Sequence, residues 1–170
     1  MILNESQQQI KDMARAFAHD RLSPGAAERD RESRFPAKEL REMGELGFLG
    51  MLVDEDYGGS DVGAVAYAVA LEEIAAADGS CSTIMSVHNS VGCVPILKFG
   101  TEEQRNRFLP KLSSGEWIGG FALTEPHAGS DASNLKTRAI RDGDDYVING
   151  AKQFITSGKN GDVIIVFAVT

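Results

Sequence analysis

Residues 121–131 place side by side groups that a purely structural segment rarely needs together. An apolar run over residues 117–123 ends at a hydroxyl and a carboxylate, Thr124 and Glu125. Pro126 then blocks continuation of a sheet ladder, and Gly129, Ser130 and Asp131 supply a permissive turn with exposed amides and a second hydroxyl. The pattern is that of a strand delivering polar groups to a site. Successive amides in a Gly/Ser turn form an anion-binding concavity, which suits a phosphate or a developing oxyanion. A strand end followed by a tight turn, with no ligand, fits the same composition.

The other reactive residue types are sparse. Cys81 and Cys93 match no common zinc or redox spacing and are expected as buried free thiols. His19 and His88 fall within helical patterns and read as surface or satisfied interior residues, whereas His127 reads as an exposed loop histidine, with a phosphate contact as the alternative. No cluster has metal-ligand spacing, so no metal is expected. The 170 residues, 42% apolar and 25% charged, describe an ordinary globular chain with no run long enough to span a membrane. A net charge of −8 argues against nucleic acid as a partner, because neutralising phosphates needs a basic face. The amino terminus has neither the basic-then-apolar pattern of a secretory signal nor an Arg/Ser-rich leader, which points to the cytoplasm, with the mitochondrial matrix as the alternative.

The elements that must position these groups are of two kinds. Asn4 with Gln7 has the form of a capping box, and Ile10, Met13, Phe17 and Leu22 repeat at helical spacing behind it, predicting a helix over residues 5–22 that stops before Pro24 and Gly25. A charged connection over 28–34 leads to a second helix carrying Leu40, Met43 and Leu46 and ending at Gly47. A loop over 48–60 follows, then an alanine-rich helix over 61–77, a break and cap at Asp78, and an apolar helix over 81–99 that Pro95 should kink or divide. Thr101 with Gln104 makes a second capping box. After Gly115 the period changes. Residues 117–124, 136–141, 146–149 and 162–170 read as strands, with a hairpin turn over 142–145, and 151–156 as a further candidate. The expected fold is α+β: an all-α bundle over residues 1–115, then an incomplete antiparallel β-domain over 116–170. A short open sheet with an exposed last edge suggests a fragment of a longer protein.

Ala122, Leu123, Thr124, Glu125, Ala128, Gly129, Ser130 and Asp131 resemble the signature of the acyl-CoA dehydrogenase family, with His127 and Asn134 where glycine and a small residue are usual. Tyr57-Gly58-Gly59, Glu72-Glu73-Ile74 and Lys98-Phe99-Gly100-Thr101 extend the likeness over nearly the whole chain. The resemblance implies FAD as cofactor and oxidation of an acyl-CoA thioester to the trans-2-enoyl form, with an electron-transfer flavoprotein as acceptor and a homotetramer or homodimer as the complete assembly. It implies flavin contacts from Phe121, Ala122, Leu123, Thr124, Gly129 and Ser130, and from a second matching segment in which Phe154 stacks on the ring in place of tryptophan, beside Ile155 and Thr156. Ser130, Ile84 and Val87 are implied on the substrate side, and the bulk of Ile84 and Val87 points to a short or branched acyl group, with core packing as the plain alternative. Glu125 and Asp131 are implied as turn-supporting carboxylates and not an acid–base pair; the catalytic base is expected beyond residue 170, so the 170-residue chain alone is expected to be inactive and to hold flavin weakly. A flavin oxidase or monooxygenase on the same scaffold, and a non-catalytic association module, are the other readings.

Overall fold

The structure, a computed structural model, describes residues 2–170. The first helix, α1 (Glu5–Phe17), starts where the capping box places it: the Asn4 carboxamide accepts from Gln7 N at 2.9 Å and the Gln7 side chain accepts from Asn4 N at 3.1 Å. The helix does not stop before Pro24. It widens into a π turn (Ala18–Leu22) and continues as α2 (Ser23–Glu32), so residues 28–32 of the expected charged connection are helical. The same device recurs later, where α5 (Gly79–Val87) passes through a π turn (His88–Cys93) into α6 (Val94–Phe99). In both places a proline, Pro24 or Pro95, occupies one of the first two positions of the resumed helix. Proline cannot donate to the carbonyl four residues back, and the wider turn ahead of it accommodates both the missing bond and the ring. Pro95 thus divides its helix as expected, whereas Pro24 is passed without ending one.

Between these paired helices lie α3 (Ala37–Glu45), which ends in a left-handed Gly47, and α4 (Gly63–Ala77). The loop joining them is held by its own backbone: Ser60, Asp61 and Val62 donate to Gly50, Val53 and Met51 at about 3.0 Å each. Gly59 is required there, since a Cβ would lie 2.0 Å from the Val53 carbonyl oxygen. Phe17, Leu22, Leu40, Met43, Phe48, Ile74 and Met85 form the main core, and Val53, Cys93, Ile96, Leu109 and Leu112 form a second one under α7 (Glu102–Ser113). Cys81 and Cys93 are both buried and unpaired, and burial pushes both thiols up to about 12.

Strand β1 (Gly119–Ala122) pairs with β4 (Val163–Val166), and β2 (Arg138–Asp142) pairs with β3 (Asp145–Asn149) across a two-residue turn at Gly143 and Asp144. Helices are followed by a small sheet region, but the expected antiparallel arrangement holds only for the β2–β3 hairpin. β1 and β4 run parallel, in register Gly119↔Val163 to Ala122↔Val166. The forty residues between them are long enough for the crossover a parallel pair requires. Residues 151–156 form no strand: Phe154 and Ser157 both take left-handed backbone, at φ 57° and 59°, which interrupts any ladder.

His88 joins the helices to the sheet region. Its Nδ1 accepts from Gly119 N at 3.0 Å and its Nε2–H donates to the Leu112 carbonyl at 3.1 Å, with the ring fully buried. Of the two readings the sequence left open, it is the satisfied interior residue. Burial lowers its pKa to about 4, so the ring is neutral near neutral pH.

Candidate functional site

Two segments far apart in sequence meet at the carboxyl end of β1. The Lys152 ammonium donates to the Leu123 carbonyl at 2.8 Å and to Glu125 Oε1 at 2.9 Å, and the Gln153 amide donates to the Thr124 carbonyl at 3.0 Å. Phe121, Ala122, Leu123 and Thr124 are thereby set beside Phe154, Ile155 and Thr156. A Cβ on Gly120 would lie 3.1 Å from the Thr156 carbonyl oxygen, so the second segment passes directly over β1.

Glu125 is the anchor of this arrangement. It is 2% exposed, exchanges backbone hydrogen bonds with Ala128 across Pro126 and His127, and accepts from the amides of Lys136 at 2.7 Å and Thr137 at 2.9 Å. Burial opposes ionisation of this carboxyl, but the donors from Thr137, Lys152 and Lys136 outweigh it and hold its pKa well below the usual carboxylate range. It is therefore a permanently charged structural group, as expected, and unsuited to proton transfer. Thr137 packs so closely on Gly150 that a Cβ there would lie 2.3 Å from the threonine hydroxyl. Asp131 accepts from Ser133 at 2.7 Å and is exposed, so the two carboxylates form no pair. His127 is exposed, with Nε2 3.3 Å from Glu125 Oε2.

Thr124 and Thr156 are half-buried, and Ser130 is exposed. The hydroxyls of Thr124, Ser130 and Thr156 make no hydrogen bond among the described residues, and Gly129 opens onto empty space. Phe154 is 87% exposed, so it takes no part in sheet packing. A large aromatic ring bared beside unsatisfied hydroxyls is the donor set and flat surface that a planar heteroaromatic ligand needs. No hydrogen bond links Gly129 or Ser130 to residues 154–156. The turn at Gly129 and Ser130 and the segment 154–156 are thus two separate sets of exposed and half-buried groups.

Thr156 also lines a cleft of about 690 Å³ between α2 and the start of α5, with Ala26, Asp30, Ser80, Thr83 and Ile84. Ile84 is nearly buried at its wall; Val87, one turn along α5, is half-buried and outside the lining. Behind the wall, Arg29 donates to Asp78 Oδ2 at 2.7 and 3.0 Å and to Glu39 Oε1 at 2.9 Å, fixing α2 against the α5 cap, whose Oδ1 accepts from Cys81 N at 2.9 Å. Burial alone would raise the Asp78 carboxyl, but the Cys81 amide and Arg29 bring it below its ordinary value. The roles of Arg29 and Lys152 were not read from the sequence. Asp78 as a cap was the available signal for the first, and a lysine four residues before a hydroxyl carried none for the second.

The chain matches the family models for the acyl-CoA dehydrogenase N-terminal domain over residues 4–116 and for the middle domain over residues 120–170. It belongs to the acyl-CoA dehydrogenase family. An acyl-CoA dehydrogenase of Bacillus subtilis is 42% identical over all 170 residues, which cover 45% of that protein, and the short-chain specific mitochondrial acyl-CoA dehydrogenase of Bos taurus is 44% identical over 168 residues, covering 99% of this chain and 41% of that one. Glutaryl-CoA dehydrogenase of Mycobacterium smegmatis, solved in complex with FADH2, superposes with a TM-score of 0.94 at 38% identity over 98% of this chain and 43% of that chain. The chain spans less than half the length of these relatives. Among the described residues no helix is long and apolar enough to cross a membrane, and no group of His, Cys, Asp and Glu could hold a metal ion.

Proposed function

We propose that this chain forms the flavin-seating and acyl-pocket part of an FAD-dependent acyl-CoA dehydrogenase acting on short or branched acyl-CoA thioesters. The carrying observation is the junction of residues 121–125 with residues 152–156, which brings the half-buried Thr124 and Thr156, whose hydroxyls have no partner among the described residues, beside the exposed ring of Phe154. Bound there, FAD would supply the hydride acceptor for conversion of the thioester to its trans-2-enoyl form. Thr124, beside the backbone of Phe121, Ala122 and Leu123, offers its hydroxyl to the pyrimidine edge of such a ring. Phe154, flanked by Ile155, offers a face, and Thr156 offers a hydroxyl toward the cleft that holds Ile84. Gly129 and Ser130 offer amides and a hydroxyl to phosphate oxygens. Ile84 limits the depth available to an acyl chain, in keeping with the short-chain specificity named for the bovine relative. Neither Glu125 nor Asp131 serves as the base that removes the proton next to the thioester carbonyl.

The hairpin side chains Ile140, Tyr146 and Ile148, each more than half exposed, give the protein surface for assembly into a homodimer or homotetramer, and electron-transfer flavoprotein is the acceptor that this reaction calls for. Cytoplasm or mitochondrial matrix suits either. The test is steady-state reduction of a dye by the protein that carries this chain, with acyl-CoA of four, eight and sixteen carbons. Turnover highest with the four-carbon or a branched four-carbon thioester is expected. A preference for the sixteen-carbon substrate would overturn the short-chain reading, and no turnover with any of them would overturn the activity.

A further inference from the structure

Residues 151–156 carry three of the proposed flavin contacts and yet belong to no strand or helix. Phe154 and Ser157 are both left-handed, so the segment cannot be held by a ladder. Among the described residues, every hydrogen bond that ties it to a residue more than three positions away starts from Lys152 Nζ or from the neighbouring Gln153 amide. The Lys152 side chain is 12% exposed and its Glu125 partner 1% exposed, so the ion pair is desolvated and well hydrogen-bonded. Glu125 is in turn fixed by the Lys136 and Thr137 amides.

We propose that Lys152 is a positioning residue: its ammonium bridges the Leu123 carbonyl and the Glu125 carboxylate, locking residues 152–156 in register with residues 121–125 so that Phe154 and Thr156 meet the same flavin as Thr124. The inference rests on the flavin reading above and adds a residue that does not touch the cofactor. Lysine suits the task because one compact head with three donors reaches two acceptors on different groups, a carbonyl and a carboxylate. Removal of the ammonium leaves the Gln153 amide as the single long-range tie. The segment then samples other registers, and the fraction competent for flavin falls, raising the apparent dissociation constant by the same factor.

The experiment compares the full protein carrying this chain with its Lys152→Met and Lys152→Arg variants. FAD affinity is read from quenching of flavin fluorescence, and amide exchange at Gln153 is read without flavin. Lys152→Met should weaken FAD binding by about tenfold to a hundredfold, the loss expected for a charge-assisted hydrogen bond, and should speed Gln153 exchange. Lys152→Arg should recover part of both, which a merely misfolded variant would not. Two results overturn the proposal: FAD affinity within about twofold of wild type in Lys152→Met, a difference far below one hydrogen bond, or weakened affinity with Gln153 exchange unchanged. Absence of FAD binding by the wild-type protein overturns the flavin reading itself, and the exchange comparison alone then upholds or overturns the register lock.

Discussion

Two buried ion clusters sit in the two halves of the molecule and do opposite things with their surroundings. Arg29, Asp78 and Glu39 are packed between α2, α3 and the start of α5, each of the three side chains at most 10% exposed. Glu125 and Lys152 are as well buried, yet the chain they hold presents Phe154 almost entirely to solvent. The first cluster closes a core and the second holds open a surface. The same contrast runs through the apolar residues. Phe48, Leu40 and Met43 are at most 1% exposed among the helices, whereas Ile140, Tyr146, Val147 and Ile148 on the hairpin are 48% to 63% exposed. Most large apolar side chains of the helices are covered within these 170 residues, Phe99 at 85% exposed being the main exception, whereas those of the hairpin are not.

The comparison is broken most severely at Arg29. Arg29→Ala strands two buried carboxylates and should lower stability by about 3–5 kcal/mol, measured by urea unfolding followed by far-UV circular dichroism. A loss under about 1 kcal/mol would show that the enclosed cluster contributes no more than a surface pair.

A pH series at the seam between the two halves comes next in size. His88 titrates near 6.5 when unfolded and about 4 when folded, so the unfolded chain binds the extra proton between those values. Stability from this group is complete above pH 6.5 and is lost as pH falls toward 4, by roughly 3 kcal/mol over the window. Asp78 and Glu125, whose carboxyls are held low, begin to lose their share as pH falls into the ordinary carboxylate range and go on losing it below that range. Unfolding midpoints between pH 5 and 7 should therefore slope in wild type and flatten in His88→Gln.

The smallest effects are expected on the open side. Ile148→Ser, at a residue 51% exposed, should change stability by no more than about 0.5 kcal/mol in the same urea assay. Phe154→Ala should likewise leave stability within about 0.5 kcal/mol while weakening FAD binding, seen by fluorescence titration. A strong loss of stability from Phe154→Ala would make the ring a packing residue and remove the distinction between the two halves.

What the sequence determined by itself is what local chemistry controls. The Asn4/Gln7 and Thr101/Gln104 boxes start α1 and α7 within one residue of their expected positions, Asp78 caps α5, and the turn at Gly143 closes its hairpin, because each depends on hydrogen bonds spanning three or four residues. The motif from Thr124 to Asp131 was likewise readable in the chain as a candidate site. What tertiary structure decided is everything that joins distant segments. The parallel pairing of β1 with β4, the ties of Arg29 to Asp78 and His88 to Gly119, and the irregular path of residues 151–156 have no local signature. Their energies come from burial and from partners thirty or more positions away in the last two ties and in the β1–β4 pairing, and no pattern within a single segment encodes a partner at that range.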